Sequence, residues 1–103
     1  MIVDINAKYV KGKVRLVKKR YERADGPICI QGENPETGEP LFKATVNLLM
    51  PPRKGHVWLK GWSENEGIPQ ALADAGIVKL TGTHAYTGHA SADEACLLVD
   101  IPE

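Results

Sequence analysis

Near the N-terminus apolar and polar residues alternate: Val3, Ile5, Ala7 and Tyr9 interleave with Asp4, Asn6 and Lys8. A period of two puts the apolar set on one face of a half-buried strand. A second alternation sets Val10, Gly12, Val14 and Leu16 against Lys11, Lys13 and Arg15. Val17 then breaks the phase, which predicts a bulge or a strand end. The pattern leaves open whether Lys11-Gly12 is a turn or the interior of one long strand. Asp25-Gly26-Pro27 is a turn signal, and Ile28-Cys29-Ile30 after it reads as a short apolar strand. Asn34-Pro35-Glu36-Thr37-Gly38-Glu39-Pro40 reads as a protruding loop. Phe42, Ala44, Val46 and Leu48 then alternate with Lys43, Thr45 and Asn47, a one-sided strand that ends at Pro51-Pro52, where no ladder donor exists. His56-Val57-Trp58-Leu59-Lys60 is the next strand.

The period changes after it. Ile68, Ala71, Leu72 and Ala75 form one stripe of a helix, and Gly76 followed by Ile77 suits its C-terminal stop. Ser63 with Glu66 has the form of a capping box. Pro69 cannot sit inside a helix begun at Ser63, so the sequence predicts a first turn at Ser63–Gly67 and a short helix restarting with Pro69 at its first position and running to Ala75. Val78 to Tyr86 and Ala95 to Ile101 read as closing strands, and the small, polar Thr87 to Glu94 segment as a surface loop. Together these elements predict an α+β domain spanning 1–103. Its sheet is largely antiparallel, of roughly five to seven strands, with one short helix at about 68–76 packed on one face. One helix cannot cover both faces of a large sheet, so a homodimer or strong curling of the sheet is expected.

At 103 residues the chain suffices for one core. With 43% hydrophobic and 25% charged residues it is neither disordered nor collagen-like, and its two cysteines do not make a disulfide scaffold. Cys29 and Cys96 are expected to be free, buried thiols. Thirteen basic residues balance 13 acidic ones, yet the signs are segregated: residues 1–23 hold eight basic and two acidic side chains. Such asymmetry suits either a basic surface for nucleic acid or an acidic one for a basic partner. The N-terminus has no basic, apolar leader pattern and no stretch approaches the ~18 apolar residues of a bilayer span. A soluble, cytoplasmic protein is the expectation.

No phosphate-binding loop, dinucleotide fingerprint, HExxH, Cys-x-x-Cys or Gly-x-Ser-x-Gly motif occurs. The sequence therefore points away from an enzyme and calls for no cofactor. His84 and His89 with Cys29 and Cys96 make a poor zinc set, because residues five apart point to opposite faces of a strand. Glu64 and Glu66 resemble a paired-carboxylate site, but capping and the helix dipole account for both. Lys11, Lys13 and Arg15 share a strand face, and Lys18, Lys19 and Arg20 continue the positive potential. This basic run at 8–23 can follow a phosphate backbone, with Tyr9 or Tyr21 adding a stacking surface. The bland alternative is a solvated face that blunts an exposed edge.

The most suggestive set is His56, Trp58, Lys60 and Trp62, which share one face if the strand is unbroken. Two tryptophans opposite Val57 and Leu59 are either covered by the helix or exposed to a partner. Trp58, Lys60 and Trp62, with Glu64 and Glu66 beside them, are thus the candidate partner-binding residues.

Three stretches carry a resemblance: Phe42-Lys43-Ala44-Thr45-Val46-Asn47-Leu48, the run from Val57 through Ser63-Glu64-Asn65-Glu66-Gly67, and Ala71-Leu72-Ala73-Asp74-Ala75-Gly76-Ile77-Val78. Over about residues 37–82 the chain resembles a family of small uncharacterised proteins encoded by phages, plasmids and related mobile elements. The family's usual member has a residue other than proline where Pro69 stands. The resemblance implies a non-enzymatic binding protein that modulates or inhibits a host defence or nucleic-acid enzyme, and it transfers no catalytic residue. Nucleic-acid binding through the basic strands is the alternative.

Overall fold

The computed structural model describes residues 1–21 and 27–103. The turn expected at Asp25-Gly26, and Arg23 of the basic run, lie outside the described residues. The elements follow in the order β1 (Ile2–Asn6), β2 (Lys11–Arg20), β3 (Ile28–Glu33), β4 (Pro40–Lys43), β5 (His56–Leu59), α1 (Ile68–Asp74), β6 (Val78–Thr87) and β7 (Ala90–Leu97). A 3-10 turn at Ser63–Asn65 precedes α1. The strands pair antiparallel in two sheets, β1-β2-β3-β4 and β5-β7-β6. The protein is therefore α+β, with a single short α-helix among the described residues. No helix of the described residues is long and apolar enough to cross a membrane.

The first alternation resolves into a hairpin. Ala7 N–H donates to the Val10 carbonyl at 2.9 Å, so the chain reverses over 7–10, Lys11 opens β2, and Ile5 faces Gly12. β2 shows no bulge at Val17; its register with β3 runs unbroken from Arg15 to Arg20, with Val17 opposite Gln31. The apolar residue simply occupies the outer face, and the inward set of Val14 and Leu16 continues to Lys18.

The expected strand over Phe42–Leu48 is shorter, because β4 ends at Lys43. The segment beyond it stitches the two sheets instead. Ala44 N–H donates to the Ile30 carbonyl at 2.8 Å, while Lys60 N–H donates to Ala44 and Val46 N–H to Trp58. Thr45 bridges Leu59. The two sheets are thus joined layers whose inner faces share one core. Ile5, Val14, Leu16, Ile30 and Phe42 come from one sheet, Val57, Leu59, Val78 and Ala95 from the other, and Ile68 and Leu72 from α1.

In α1 the stripe of Ile68, Ala71 and Leu72 is buried, as its spacing predicts. Pro69 stands in the first turn, where its missing N–H costs nothing. The stop is a Schellman turn: Gly76 at φ 77° donates to Ala73, and Ile77 N–H to Leu72. The capping box does not form. Ser63 lies in a left-handed conformation, neither helical start has a side-chain cap, and Glu66 instead reaches Lys8 at 2.9 Å.

The loop expected over Thr87–Glu94 is mostly strand. β6 turns at Gly88-His89 and β7 begins at Ala90. Its buried residues in this stretch, Ala92 and Glu94, are small or charged, which hid the alternation from a hydropathy reading. β7 correspondingly ends at Leu97, short of the strand expected to Ile101. Ile101 itself is buried, and Pro102 accepts from Lys18 N–H at 2.8 Å, so the C-terminal segment lies along β2.

Candidate functional site

β5 is buried on both faces. Val57 and Leu59 enter the main core, while Trp58, 4% exposed, packs with Ala85 and Ala92 in a second cluster on the other side of the sheet. Val46, Leu48 and Trp62 cover this second cluster. Trp58 Nε1 donates to the Met50 carbonyl at 3.1 Å, so the 46–50 segment satisfies the indole as well as covering it. Trp58 therefore belongs to the core. Trp62, beyond the end of β5, is half-buried, and Lys60 Nζ sits 5.8 Å from its ring centroid.

The Ser63–Gly67 turn brings the remaining candidates together. Asn65 is buried, and its Nδ2 donates to the Lys43 carbonyl at 2.6 Å, which pins the turn to the end of β4. Gly67 at φ 87° brings the turn against the first hairpin, where Lys8 N–H donates to the Glu66 carbonyl at 3.2 Å. A Cβ at Gly67 would stand 3.4 Å from Cα of Ala7. With the core-facing groups so tied down, Glu64 and Glu66 are left at the surface. Lys60 meets Glu64 at 2.6 Å and Lys8 meets Glu66 at 2.9 Å. The hydrogen bond from Lys60 holds the Glu64 carboxyl below the ordinary carboxylate range, and that with Glu66 raises the Lys8 ammonium. Tyr9, 63% exposed, stands beside Ser63 and Glu64 and carries Lys8 5.3 Å from its ring centroid. Tyr9, Lys60, Trp62, Glu64 and Glu66 thus make one surface of two aromatics and paired charges. Sequence periodicity placed Tyr9 with the buried face of a strand; the reverse turn at 7–10 turns it outward.

The basic strand is largely matched within the molecule. Lys13 pairs with Asp4 at 3.8 Å, Arg15 with Glu33 at 3.3 Å and Lys18 with Asp100 at 3.3 Å. Lys18 and Arg20 lie on the opposite face of β2 from Lys11, Lys13, Arg15 and Lys19, because alternation continues to the end of the strand. The six cations therefore do not share a face.

The cysteines are free, Cys29 buried and Cys96 half-buried. His84 Nδ1 lies 2.8 Å from Asp93, but among the described residues no three histidine, cysteine or acidic side chains converge as a metal site would require.

One constellation has no local signal in the sequence. Glu94, on β7, has a buried side chain, and Arg53 clasps it with two bonds: Nε to Oε2 at 3.0 Å and Nη2 to Oε1 at 2.7 Å. Thr81 Oγ1 donates to the same carboxylate at 2.7 Å. These bonds, Arg53 first and Thr81 second, hold the Glu94 carboxyl below its ordinary range. His56 Nδ1 faces the Lys54 carbonyl at 2.9 Å and so carries the proton, which leaves Nε2 to accept from Arg53 Nη2 at 3.4 Å. Arg53 and Glu94 stand 41 residues apart, beyond the reach of any spacing motif.

No protein-family model, curated protein or solved structure matches the chain.

Proposed function

We propose that the protein is a non-enzymatic binding module that presents the Ser63–Gly67 turn, with Tyr9, Lys60 and Trp62, to a partner protein. The observation that carries this reading is the strain at Ser63. A non-glycine residue at φ 57° costs free energy, and it persists here because buried Asn65 and the contact at Gly67 over-determine the turn. What the strained turn displays is a half-buried tryptophan, an exposed tyrosine and oriented charges, the composition of an interface anchor with its rim. A partner suited to it offers an apolar pocket bordered by both signs of charge.

The resemblance to mobile-element proteins supports a host defence or nucleic-acid enzyme as that partner, in a cytoplasmic setting, with modulation by occupancy of its surface. The test is affinity retrieval from host lysate with the whole chain as bait. Failure to retrieve any protein reproducibly would remove the reading. Nucleic-acid binding along 8–23 has less support, since Lys13, Arg15 and Lys18 already have carboxylate partners. Titration with duplex DNA and RNA at rising salt separates it, because neutralised phosphates make affinity fall steeply with salt.

A further inference from the structure

The Arg53 cluster faces a cleft of about 570 Å³ between the 51–55 segment and the β2–β3 end of the first sheet. That size is in the range of small-molecule sites. Arg20, Arg53, Lys54 and His56 line it, with Pro52 and Ile28 among its apolar walls. No carboxylate lines it among the described residues.

A buried carboxylate in the middle of a strand is costly unless its partners are well placed. Here the Glu94 carboxylate accepts only from Arg53 and Thr81 among the described residues and so fixes both, and His56 accepts from the same guanidinium. Arg53 is nonetheless 66% exposed. Its Nε–Nη2 edge is spent on Glu94, while Nη1 has no partner among the described residues. Lys54 next to it is exposed and likewise unpartnered among the described residues. A guanidinium immobilised along one edge, with donors left over on the other and an ammonium beside it, is organised in advance for a tetrahedral oxyanion.

We propose that this cleft binds a phosphate group, with Arg53 Nη1 and Lys54 as donors, Glu94 and His56 as positioning residues, and the proline and isoleucine walls receiving a ring attached to the phosphate. The ligand is thus a nucleotide, free or within a single strand. The site is separate from the Ser63–Gly67 turn and stands or falls independently of it.

The experiment is amide chemical-shift mapping of the whole chain titrated with adenosine monophosphate and, separately, with a dodecamer of deoxythymidylate. Shifts at Lys54, Gly55 and His56 are expected. Lys54→Ala, which removes an exposed side chain without a described partner, should weaken binding about tenfold, the scale of one charge-assisted hydrogen bond. Arg53→Gln should weaken it at least as much, and Gln70→Ala, on α1 away from the cleft, should leave it unchanged. Saturation by the mononucleotide identifies a free nucleotide. Binding of the dodecamer alone, at these amides, identifies a single strand. Absence of shifts with both probes, shifts confined to β1 and β2, or undiminished binding by Lys54→Ala would overturn the proposal.

Discussion

Phe42 lies across Gly32. The two are partners on β4 and β3, and a Cβ at Gly32 would stand 2.4 Å from the phenyl ring and 2.9 Å from Cγ1 of Val14. The glycine is thus the seat of the ring, and the ladder shifts register just after it. Gly32→Ala should destabilise the fold by about 1–3 kcal/mol through overpacking, measured by urea denaturation. In a Phe42→Leu background the same substitution should cost less, because the two ring atoms it meets are gone and only Val14 Cγ1 remains. Equal costs in both backgrounds would mean that the ring is not what excludes the methyl group.

Ser63 carries the opposite expectation. Its left-handed backbone costs a non-glycine residue about 1–2 kcal/mol, part of which glycine returns as lost chain entropy. Ser63→Gly should therefore raise stability by roughly 0.5–1 kcal/mol, and Ser63→Ala should not. A destabilised glycine variant would show that the serine side chain, rather than the turn, is what matters there.

Tyr21 is half-buried, with its hydroxyl 3.1 Å from Thr45 Oγ1, which also accepts from Ile30 N–H. Burial pushes its phenol up to about 12. In ultraviolet titration one of the three tyrosines should stay protonated well past pH 11. The folded value lies above the unfolded one of about 10, so the stability tied to this phenol is complete below pH ~10 and is lost as pH rises through about 12.

For Glu94 the sign is reversed. Its folded value is depressed, chiefly by Arg53, so its contribution is complete above the unfolded value of about 4.3 and disappears as pH falls through the folded one. Glu94→Gln should lower the melting temperature by roughly 5 °C at neutral pH and show a shallower fall on acidification. Parallel acid profiles for the two proteins would locate the acid-sensitive group elsewhere.

Much of the fold was legible because its signals are local. Alternation marked β1, β2 and β5, and Pro69 with Gly76 framed α1 to within two residues. Where a strand's buried positions are alanine and glutamate, as in β7, hydropathy carries no such signal and the element reads as loop. The site was half legible for a related reason. One-sided alternation assumes that a strand has one wet face, but the 46–50 segment covers the second face of β5 and draws Trp58 inside. The sequence could not show that Tyr9 would join Trp62 near one turn, which the closure of the two sheets brings about, nor that Arg53 would find Glu94, which the pairing of β5 with β7 brings about.

The partner surface is tested most directly by two variants in parallel retrievals from host lysate, Tyr9→Ala and Trp62→Ala, with thermal melts of each. Tyr9 is largely exposed, so its removal should leave stability within about 0.5 kcal/mol; Trp62 also touches the second core cluster and should cost more. The expected result is a protein retained by the wild-type chain whose binding weakens by about 30-fold in both variants, the scale of about 2 kcal/mol for an interface anchor, while Tyr9→Ala still melts like the wild type. Retention of the same protein at undiminished affinity by Tyr9→Ala and Trp62→Ala would contradict the account.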